Sequence, residues 1–319
     1  MSFFENCFTD TQQYGDIVFS YEATLGRYAL IPKDFYGCLG RRLAIIRNVS
    51  KDIDTLWLYY YFLSPEWKQF IQSKIIKGST VNRISVEDFP TYTVPNISIK
   101  VQRKIANILS KIDEKIALNN NINDNLEQQI KTIFTFQFLQ NANTEWKQQS
   151  LAELSEMYQP KTISGKDLIA DGNYFVYGAN GIIGKYNQYN HSESEIAVAC
   201  RGASCGSIQM TLPFSWITGN AMVVKPHSDF PYREYLYYYL LAKNPNYLCS
   251  GSAQPQLTRE NLTLYSLKVP STTELNAFES YAEKVRKIII KNQQENIELS
   301  TLRDWLLPML MNGQATISN

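Results

Sequence analysis

Histidine and paired cysteines are scarce in this 319-residue chain, and their scarcity argues against metal and acid–base sites. The two histidines, His191 and His227, lie in separate polar segments, so each is expected to be a solvated surface residue. The five cysteines show no C-x-x-C spacing, which disfavours the usual zinc and redox motifs. Because their number is odd and no secretory signal is evident, we expect reduced thiols and a cytoplasmic protein. Serine, histidine and aspartate show no nucleophile-elbow context, so no catalytic residue and no metal ligand is predicted.

Long apolar runs and an excess of either charge are also lacking. With 31 Lys and Arg against 30 Asp and Glu, the net charge is +1, so the chain as a whole lacks the field of a strongly basic protein. This balance leaves DNA binding by one basic face open. No apolar run reaches the roughly 20 residues that a membrane helix requires. The hydrophobic content of 44% is sufficient for two globular domains at this length.

Two short motifs are similar to cofactor-binding signatures but lack the residues that the chemistry needs. GANGIIGK (178–185) has five residues between its outer glycines where a phosphate loop has four, and Tyr186 follows its lysine. A glycine-rich surface turn is the better interpretation. NPNY (244–247) differs by one residue from the N-P-P-Y motif of amino-group methyltransferases, but no glycine-rich turn is placed to hold S-adenosylmethionine. Pro245 is predicted to stop a helix instead.

A heptad pattern of apolar residues occurs twice and dominates the chain. The first copy lies in 97–139, which contains no proline or glycine, and its steps of four and three residues are typical of a helix that packs against another helix. The second copy follows at an offset of 173 residues and repeats two asparagines of the first, which indicates an internal duplication. The predicted pairing and partner-docking positions are Ile105, Leu109, Ile112, Ile116, Asn119, Asn123 and Leu126 in the first copy, and Phe278, Val285, Ile289, Asn292, Asn296 and Leu299 in the second.

The matched seams predict that the two helices pair with each other, antiparallel and within one chain. The alternative is that each seam meets another copy. Antiparallel pairing would bring Ile105 near Leu306. A buried asparagine costs stability but can fix register, so replacing Asn119 and Asn292 by leucine is expected to stabilise the pair and loosen its register.

A globular segment precedes each helix, and the two segments share an order of elements. DIVFSYEATLGRYALIP (16–32) predicts strands broken by a turn at Gly26, and the segment from Glu195 repeats it. The second segment spends about fifty residues, Trp146 to Ser194, before that repeat begins, whereas about fifteen precede Asp16. We therefore predict an α+β fold whose first globular domain is shortened. The predicted domains are 1–96 (partial globular domain), 97–143 (central helix), 144–270 (second globular domain) and 271–319 (C-terminal helix).

Polar residues in the turn-rich parts of the second globular segment suggest a DNA-binding surface. Arg, Lys, Asn and Gln side chains make paired hydrogen bonds to base edges, and Lys and Arg also hold phosphates. The candidates are Lys161, Lys166, Asn180, Lys185, Tyr186, Arg201, Ser204, Gln254 and Gln256. Of these, Arg201, Lys185 and Tyr186 are expected to lie on the side that faces DNA.

With these features together, the chain resembles the specificity subunit of type I restriction–modification systems. The resemblance covers nearly the whole chain, and its most specific part is a Gly-rich turn, an Ile-rich segment and a Pro before a helix that opens with Q-x-x-I. Here these are Gly78, Ile84, Pro95, Gln102 and Ile105, and the closing motif corresponds to 302–314.

The resemblance implies two target recognition domains that each read one half of a split site in double-stranded DNA, with paired helices as the spacer between them. It also implies docking of two modification subunits, which carry S-adenosylmethionine and methylate adenine, and the later joining of restriction subunits. The chain itself would then hold no cofactor, contact no membrane and have no catalytic site. The missing opening puts DNA reading by the first domain in doubt.

Two other classes stay open from the residues alone. A coiled-coil scaffold with protein-binding globular domains fits the near-neutral charge and the 21 tyrosines. A self-contained DNA methyltransferase is the weakest alternative, and it requires that the isolated chain bind S-adenosylmethionine.

Overall fold

The computed structural model describes residues 12–78, 80–251 and 254–313. The chain forms two compact units: unit 1 comprises 1–120 with 293–319, and unit 2 comprises 121–292. Each unit contains one part of both long helices, so the four-part domain division stays a prediction. Its first eleven residues, and Gln314 of the closing motif, lie outside the described residues.

The strands of the described residues are short, mostly three to six residues each. They are β1 (Ile17–Ser20), β2 (Tyr28–Leu30), β3 (Leu43–Ile46), β4 (Lys147–Ser150), β5 (Ser155–Tyr158), β6 (Tyr174–Gly178), β7 (Gly181–Tyr186), β8 (Ile196–Ala199), β9 (Ile208–Met210), β10 (Trp216–Ile217), β11 (Ala221–Pro226) and β12 (Ser266–Val269).

Two long helices, α3 and α7, stand out among shorter ones. The helices are α1 (Thr55–Leu63), α2 (Pro65–Ser73), α3 (Ile99–Phe134), α4 (Leu151–Leu154), α5 (Arg233–Ala242), α6 (Arg259–Thr263) and α7 (Thr272–Met311). A π-helical turn, Thr135–Gln140, continues α3. Within the described ranges, no helix combines the length and the apolar character that a bilayer span requires.

Unit 1 contains one antiparallel sheet in the order β2-β1-β3. All four residues of β1 are buried, as expected for a central strand, and the turn at Gly26 has the positive φ of +68° that glycine adopts without strain. Aromatic rings fill the core beside the sheet. In it, the Trp67 Nε1 donates to the Tyr28 hydroxyl at 2.8 Å, so the indole N–H is satisfied although the ring is buried.

The break between α1 and α2 in unit 1 has a clear local cause. Ser64 ends α1 and caps α2, since its hydroxyl accepts the backbone N–H of Trp67 at 3.2 Å. Pro65 takes the first position of α2, where its missing N–H costs no helical hydrogen bond. The helix therefore restarts here in a new direction instead of continuing.

Unit 2 contains three sheets, because it has strands that unit 1 lacks. The largest has the order β5-β11-β8-β9 and is antiparallel throughout. A second sheet, β10-β6-β7, contains the β6–β7 hairpin, in which Gly181 has a φ of +90°. GANGIIGK is thus a hairpin turn with its flanking strand residues, as the glycine-rich-turn interpretation predicted. β12 pairs with β4 as a third, two-stranded sheet.

The internal duplication is visible as a repeated strand arrangement. β1, β2 and β3 of unit 1 correspond to β8, β9 and β11 of unit 2, and each set is antiparallel with its first strand in contact with the other two. Equivalent backbone hydrogen bonds also recur outside the strands. The Ile84 N–H donates to the Tyr21 carbonyl at 2.8 Å, and the Leu257 N–H donates to the Cys200 carbonyl at 2.9 Å.

The described residues of unit 1 form fewer strands than those of unit 2. In the described residues of unit 1, no strand corresponds to β5, so the outer edge of β3 has no strand partner. The consequence shows in burial: Leu43 at the start of β3 is 38% exposed, whereas the first four residues of β11 are buried.

The long helices pair antiparallel within each unit. In unit 1, the Arg303 guanidinium donates to Asp113 at 2.8 Å, and the Asn119 amide donates to the Asn296 side-chain oxygen at 2.9 Å. Residue numbers therefore rise along α3 where they fall along α7, as in an antiparallel pair. In unit 2, the Asn292 amide donates to Asn123 at 2.8 Å. These contacts confirm the predicted antiparallel coiled coil of α3 with α7.

Candidate DNA-binding surface

Two loops of unit 2 lie side by side and carry several of the predicted DNA-binding residues. The first loop (200–207) follows β8, and the second (249–257) precedes α6. Backbone hydrogen bonds join them, from the Gly202 N–H to the Pro255 carbonyl at 3.0 Å and from the Leu257 N–H to the Cys200 carbonyl at 2.9 Å. As a result, Arg201 and Gln256 stand opposite each other in an antiparallel bridge.

A disulfide between Cys205 and Cys249 connects the same two loops, with 44 residues of chain between its cysteines. The expectation of reduced thiols is therefore wrong at this pair, and Cys7 lies outside the described residues. Gly206 allows the close approach beside it, because a Cβ there would come within 2.7 Å of the Asn246 Cα. The first loop is thus fixed by a covalent bond and by a glycine that no larger residue replaces without a shift.

Four predicted DNA-binding residues meet on these loops, and we call them the loop rim: Arg201, Ser204, Gln254 and Gln256. Three of them are exposed, and Ser204 is half-buried. The Ser250 and Gln256 backbones exchange two hydrogen bonds of 2.8 Å, which pair the two ends of the second loop. The rim therefore carries one guanidinium and two side-chain amides.

Asn180, at the tip of the β6–β7 hairpin, is joined to this surface by a small cleft of about 240 Å³ that also includes Ser207 and Gln209. The Gln209 Nε2 donates to the Gly178 carbonyl at 3.0 Å, which ties the hairpin to β9. Ser207 is itself bonded to Ser204 of the rim, through its N–H and the Ser204 carbonyl at 2.9 Å. The hairpin tip is thus an extension of the rim.

Lys185 and Tyr186 lie at the other end of β7, about 17 Å of strand away from Asn180. There the Tyr186 ring packs edge-on against Trp216, at 5.4 Å between ring centroids. The Trp216 Nε1 donates to the Lys161 carbonyl at 3.1 Å.

These contacts bring Lys161 to the same end of β7 as Lys185 and Tyr186. With Lys166, from the segment that follows Lys161, these residues are called the strand-end group: Lys161, Lys166, Lys185 and Tyr186. Lys161 and Lys166 are exposed, whereas Lys185 and Tyr186 are half-buried. The Lys185 ammonium lies 5.6 Å from the centre of the Phe175 ring, a cation–π arrangement. Among the described residues, no hydrogen bond, ion pair or ring contact joins this group to the loop rim, so the nine candidates form two surfaces.

His191 differs from its prediction as a solvated residue. It is 8% exposed, and its ring nitrogens contact the Tyr158 hydroxyl at 2.9 Å and the Asn190 Oδ1 at 2.6 Å. Burial lowers the pKa of His191, which favours the neutral ring. His227 is half-buried. Among the described residues, no cluster of His, Cys, Asp or Glu has the arrangement of a metal site.

The predicted seam residues lie where α3 and α7 meet. Most are buried; Ile116, Leu126, Asn292, Asn296 and Leu299 are half-buried. Ile105 and Leu109 belong to the core of unit 1, together with Leu307 and Leu310. Phe278, Val285 and Ile289 belong to the core of unit 2. The seams are therefore continuous with the cores of the globular parts, which the sequence alone did not indicate.

A polar network on this seam was missed by sequence reasoning. In unit 2 the Arg286 guanidinium is 5% exposed, pairs with Glu127, and bonds Glu234 at 3.1 Å and the Tyr238 hydroxyl at 2.9 Å. Burial raises the pKa of Glu234, and the Arg286 charge opposes that rise.

Unit 1 has a simpler version of this network. The Tyr60 hydroxyl donates to Asp113 at 2.7 Å, and Asp113 pairs with Arg303. The sequence repeat could have indicated both networks, because Tyr60 and Tyr238 occupy matching positions in α1 and α5.

The repeat also held a signal for the missed disulfide. The residues of unit 1 that correspond to Cys205 and Cys249 are Leu25 and Ile75, and both pack against the core of that unit. Apolar side chains therefore occupy these two positions in unit 1, where a disulfide joins the loops in unit 2.

Comparison with known proteins identifies the family. The family model of the type I restriction modification DNA specificity domain matches residues 2–128 and 143–300. The chain belongs to this family. It is therefore a DNA-recognition subunit and not itself an enzyme, as the sequence resemblance implied.

Individual relatives agree with this assignment. The chain is 26% identical over 277 residues to the EcoprrI type I restriction enzyme specificity subunit of Escherichia coli, which covers 80% of this chain and 67% of that protein. It is 21% identical to the MjaIX specificity subunit of Methanocaldococcus jannaschii, over 95% of this chain and 78% of that one. The crystal structure of a type I S subunit from M. genitalium has the same fold, with a TM-score of 0.60 at 17% identity over 97% of this chain and 85% of the other.

Proposed function

We propose that the loop rim of unit 2 reads one half of a split DNA site for a type I restriction–modification complex. The observation that carries this proposal is the bridge between Arg201 and Gln256, which presents a guanidinium and a side-chain amide from adjacent backbone segments that are joined by hydrogen bonds. Arginine makes paired hydrogen bonds to guanine, and glutamine makes them to adenine. Both need a fixed backbone, because a loosely held side chain loses the geometry that distinguishes bases.

Asn180 and Ser204 extend the reading surface in this proposal. The strand-end group has a different part: Lys161, Lys166 and Lys185 contact phosphates of the same duplex. Phosphate contacts position the protein, whereas base contacts determine the sequence. The separation of the two groups along β7 fits this division of roles.

We propose two modification subunits as partners on the paired helices, and restriction subunits that join afterwards. The internal duplication supports the number two, since each unit offers one helix pair with a matching globular part. In this proposal S-adenosylmethionine is bound by the modification subunits, the chain needs no cofactor of its own, and the complex works in the cytoplasm, where its DNA target lies.

The decisive test is methylation mapping of the reconstituted complex with wild-type chain and with Arg201→Ala or Gln256→Ala. Loss of a base-reading contact should cost about 1–3 kcal/mol of binding and relax one position of the site. Lys147→Ala is the matched control, because Lys147 is an exposed cation of unit 2 on β4, away from the rim loops in sequence. Unchanged affinity and unchanged site with both rim variants would refute the rim as the reading surface.

A second measurement tests the cofactor assignment. Calorimetry of the isolated chain with S-adenosylmethionine should give no binding heat, whereas the complex with modification subunits should bind it. Saturable binding by the isolated chain would contradict the proposal and favour a self-contained methyltransferase.

A further inference from the structure

Unit 1 contains a backbone arrangement that matches the loop rim of unit 2. The Ala23 N–H donates to the Asn82 carbonyl at 3.3 Å, as the Gly202 N–H does to the Pro255 carbonyl at 3.0 Å. Ala23 and Gly202 both have positive φ, 64° and 78°. Unit 1 therefore has both loops of the rim, although no strand that corresponds to β5 is found among its described residues.

The residues on these loops differ in kind from those of unit 2. Glu22 and Arg83 form the antiparallel bridge that corresponds to Arg201 and Gln256. Lys77 follows Ile76, the second bridge partner of Arg83, so it lies next to that pair.

Two more arginines flank the end of β1. The Ser20 N–H donates to the Arg27 carbonyl at 3.0 Å, and the Tyr21 N–H donates to the Arg42 carbonyl at 3.1 Å. Because neighbouring strands lie about 5 Å apart, the two arginine backbones lie within about 10 Å of each other, on either side of β1. We call the whole set the basic rim: Arg27, Arg42, Lys77 and Arg83.

The basic rim carries an excess of exposed positive charge. All four of its members are exposed. Among the described residues, one carboxylate pairs with it: Glu22 contacts the Arg42 Nε at 3.4 Å, with both side chains partly in solvent. Such an exposed pair contributes little and is easily exchanged for another anion. Arg27, Lys77 and Arg83 have no carboxylate partner among the described residues. A surface with this excess of positive charge attracts a polyanion.

We propose that the basic rim is a sequence-independent contact of unit 1 with the phosphates of the DNA bound by unit 2. This inference rests on the proposed function and adds a role for the shortened unit. Phosphate is the fitting ligand, because the rim offers charge but no side-chain amide in place of Gln256, and base reading uses donors and acceptors in defined pairs. A duplex presents one charge per about 1.7 Å of its axis, so several cations can be engaged together.

The test measures DNA affinity of the full chain with its modification subunits over a range of salt. Arg27→Gln, Arg42→Gln and Arg83→Gln are combined in one variant. If each arginine neutralises one phosphate, the slope of log K against log salt should fall by roughly 2–3. The loss of affinity should be equal, as a ratio, for a duplex with the mapped site and for a scrambled one.

Two variants sharpen the result. The variant that combines Arg27→Lys, Arg42→Lys and Arg83→Lys should keep most of the DNA affinity and most of the salt slope, since lysine also holds phosphate as a point charge. Lys68→Gln removes an exposed cation of unit 1 on α2. It should change the DNA affinity and the salt slope by less than the loss of one arginine of the basic rim does. Circular dichroism and Tm of each variant establish that the fold persists.

The outcomes separate this inference from the proposed function. An unchanged slope in the glutamine triple variant, with normal site-specific binding, would refute the basic rim and leave the loop rim intact. A loss confined to the mapped site would show base reading by unit 1 and also overturn the inference. If the wild-type complex shows no preference for any duplex sequence, the proposed function of the loop rim fails instead, whatever the slope.

Discussion

Asn123 and Asn292 meet across the α3–α7 seam of unit 2, where the Asn292 Nδ2 donates to the Asn123 Oδ1 at 2.8 Å. The repeat makes the same pairing in unit 1, between Asn119 and Asn296 at 2.9 Å. Each asparagine of one helix thus bonds an asparagine of the other, and the four form two matched pairs. Buried polar pairs of this kind fix register, because a slipped helix would leave each amide facing an apolar side chain.

The asparagine pairs change the expected effect of leucine substitution. Asn119→Leu with Asn292→Leu removes one member of each pair, so the side-chain oxygens of Asn296 and Asn123 lose the amide donors that they accept from. That variant should lose about 1–3 kcal/mol, because half-satisfied buried groups are costly. Removing a complete pair, as Asn123→Leu with Asn292→Leu, should be neutral or stabilising.

Chemical denaturation of the two double variants checks this prediction. Equal stabilities for the matched and mismatched combinations would contradict the pairing. The matched variant should also show a broader distribution of helix registers in cross-linking, since its directional hydrogen bond is gone.

Helix pairing within one chain is the second prediction. Cysteines placed at Ile105 and Leu306 should be joined by a short thiol-reactive cross-linker in an intramolecular product, because Ile105 belongs to the core of unit 1 and Leu306 packs against that core. The control joins Ile105→Cys with Ala282→Cys, which a parallel arrangement of the seams would bring within one helical turn. Peptide mass spectrometry identifies the products. Only intermolecular products from the first pair would show that each seam meets another copy.

Glu279 predicts a pH dependence of stability. Its carboxylate accepts the backbone N–H groups of Glu234 and Tyr235, at 2.9 and 3.1 Å, and so caps the start of α5 from α7. Burial outweighs those bonds and raises the pKa of Glu279 from 4.5 to about 7. The folded state therefore binds the proton more tightly than the unfolded chain does. The stability from this group is fully present below about pH 4.5 and is lost as the pH rises through about 7.

Comparison with Glu279→Gln isolates this contribution. Between pH 5 and 8, the free energy of unfolding of the wild type should fall, relative to the variant, by on the order of 2–3 kcal/mol. Glu156→Gln, which changes an exposed carboxylate on β5, should run parallel to the wild type. A parallel course for Glu279→Gln as well would mean that Glu279 stays ionised throughout this range.

The disulfide predicts redox sensitivity of the loop rim. Reduction of Cys205–Cys249 frees the two loops of a cross-link that closes 44 residues, a restraint worth about 2–4 kcal/mol in the unfolded-chain entropy account. We expect faster hydrogen exchange in 200–207 and weaker site-specific DNA binding after reduction. Cys205→Ser with Cys249→Ser should behave like the reduced protein with or without reductant. Equal exchange and affinity in oxidised and reduced wild type would show that backbone bonding alone holds the rim.

Local patterns account for the parts of the fold that the sequence predicted. The strand break at Gly26 and the seam from Ile105 each depend on neighbours within a few residues, and both are found where expected. The matching of α3 with α7 followed from the repeat, because two seams that share their polar positions can satisfy each other.

Contacts between distant segments account for what the sequence did not reveal. Nothing near His191 shows that Tyr158 will bury it, and nothing near Cys205 shows that Cys249 will lie beside it. The division of the candidate residues has the same cause: Lys185 and Asn180 are close in sequence, but an extended strand separates them. The loop rim instead joins Arg201 to Gln256, which are 55 residues apart.

The shortened unit 1 gives the last prediction. The β3 strand has one strand partner, β1, whereas its counterpart β11 lies between β5 and β8. Amides of β3 that face the open edge should therefore exchange faster than those of β11, and proteolytic cuts should concentrate before Pro95 rather than between Trp146 and Pro270. The aromatic core around Trp67 and the complete helix seam should keep the rest of unit 1 folded. Because the described residues of unit 1 include no strand that corresponds to β5, methylation mapping with this chain alone should yield one well-defined half-site, or a palindrome if two copies share unit 2. A non-palindromic site with two well-defined halves would show that the shortened unit reads bases after all, and would place base recognition in the two loops themselves.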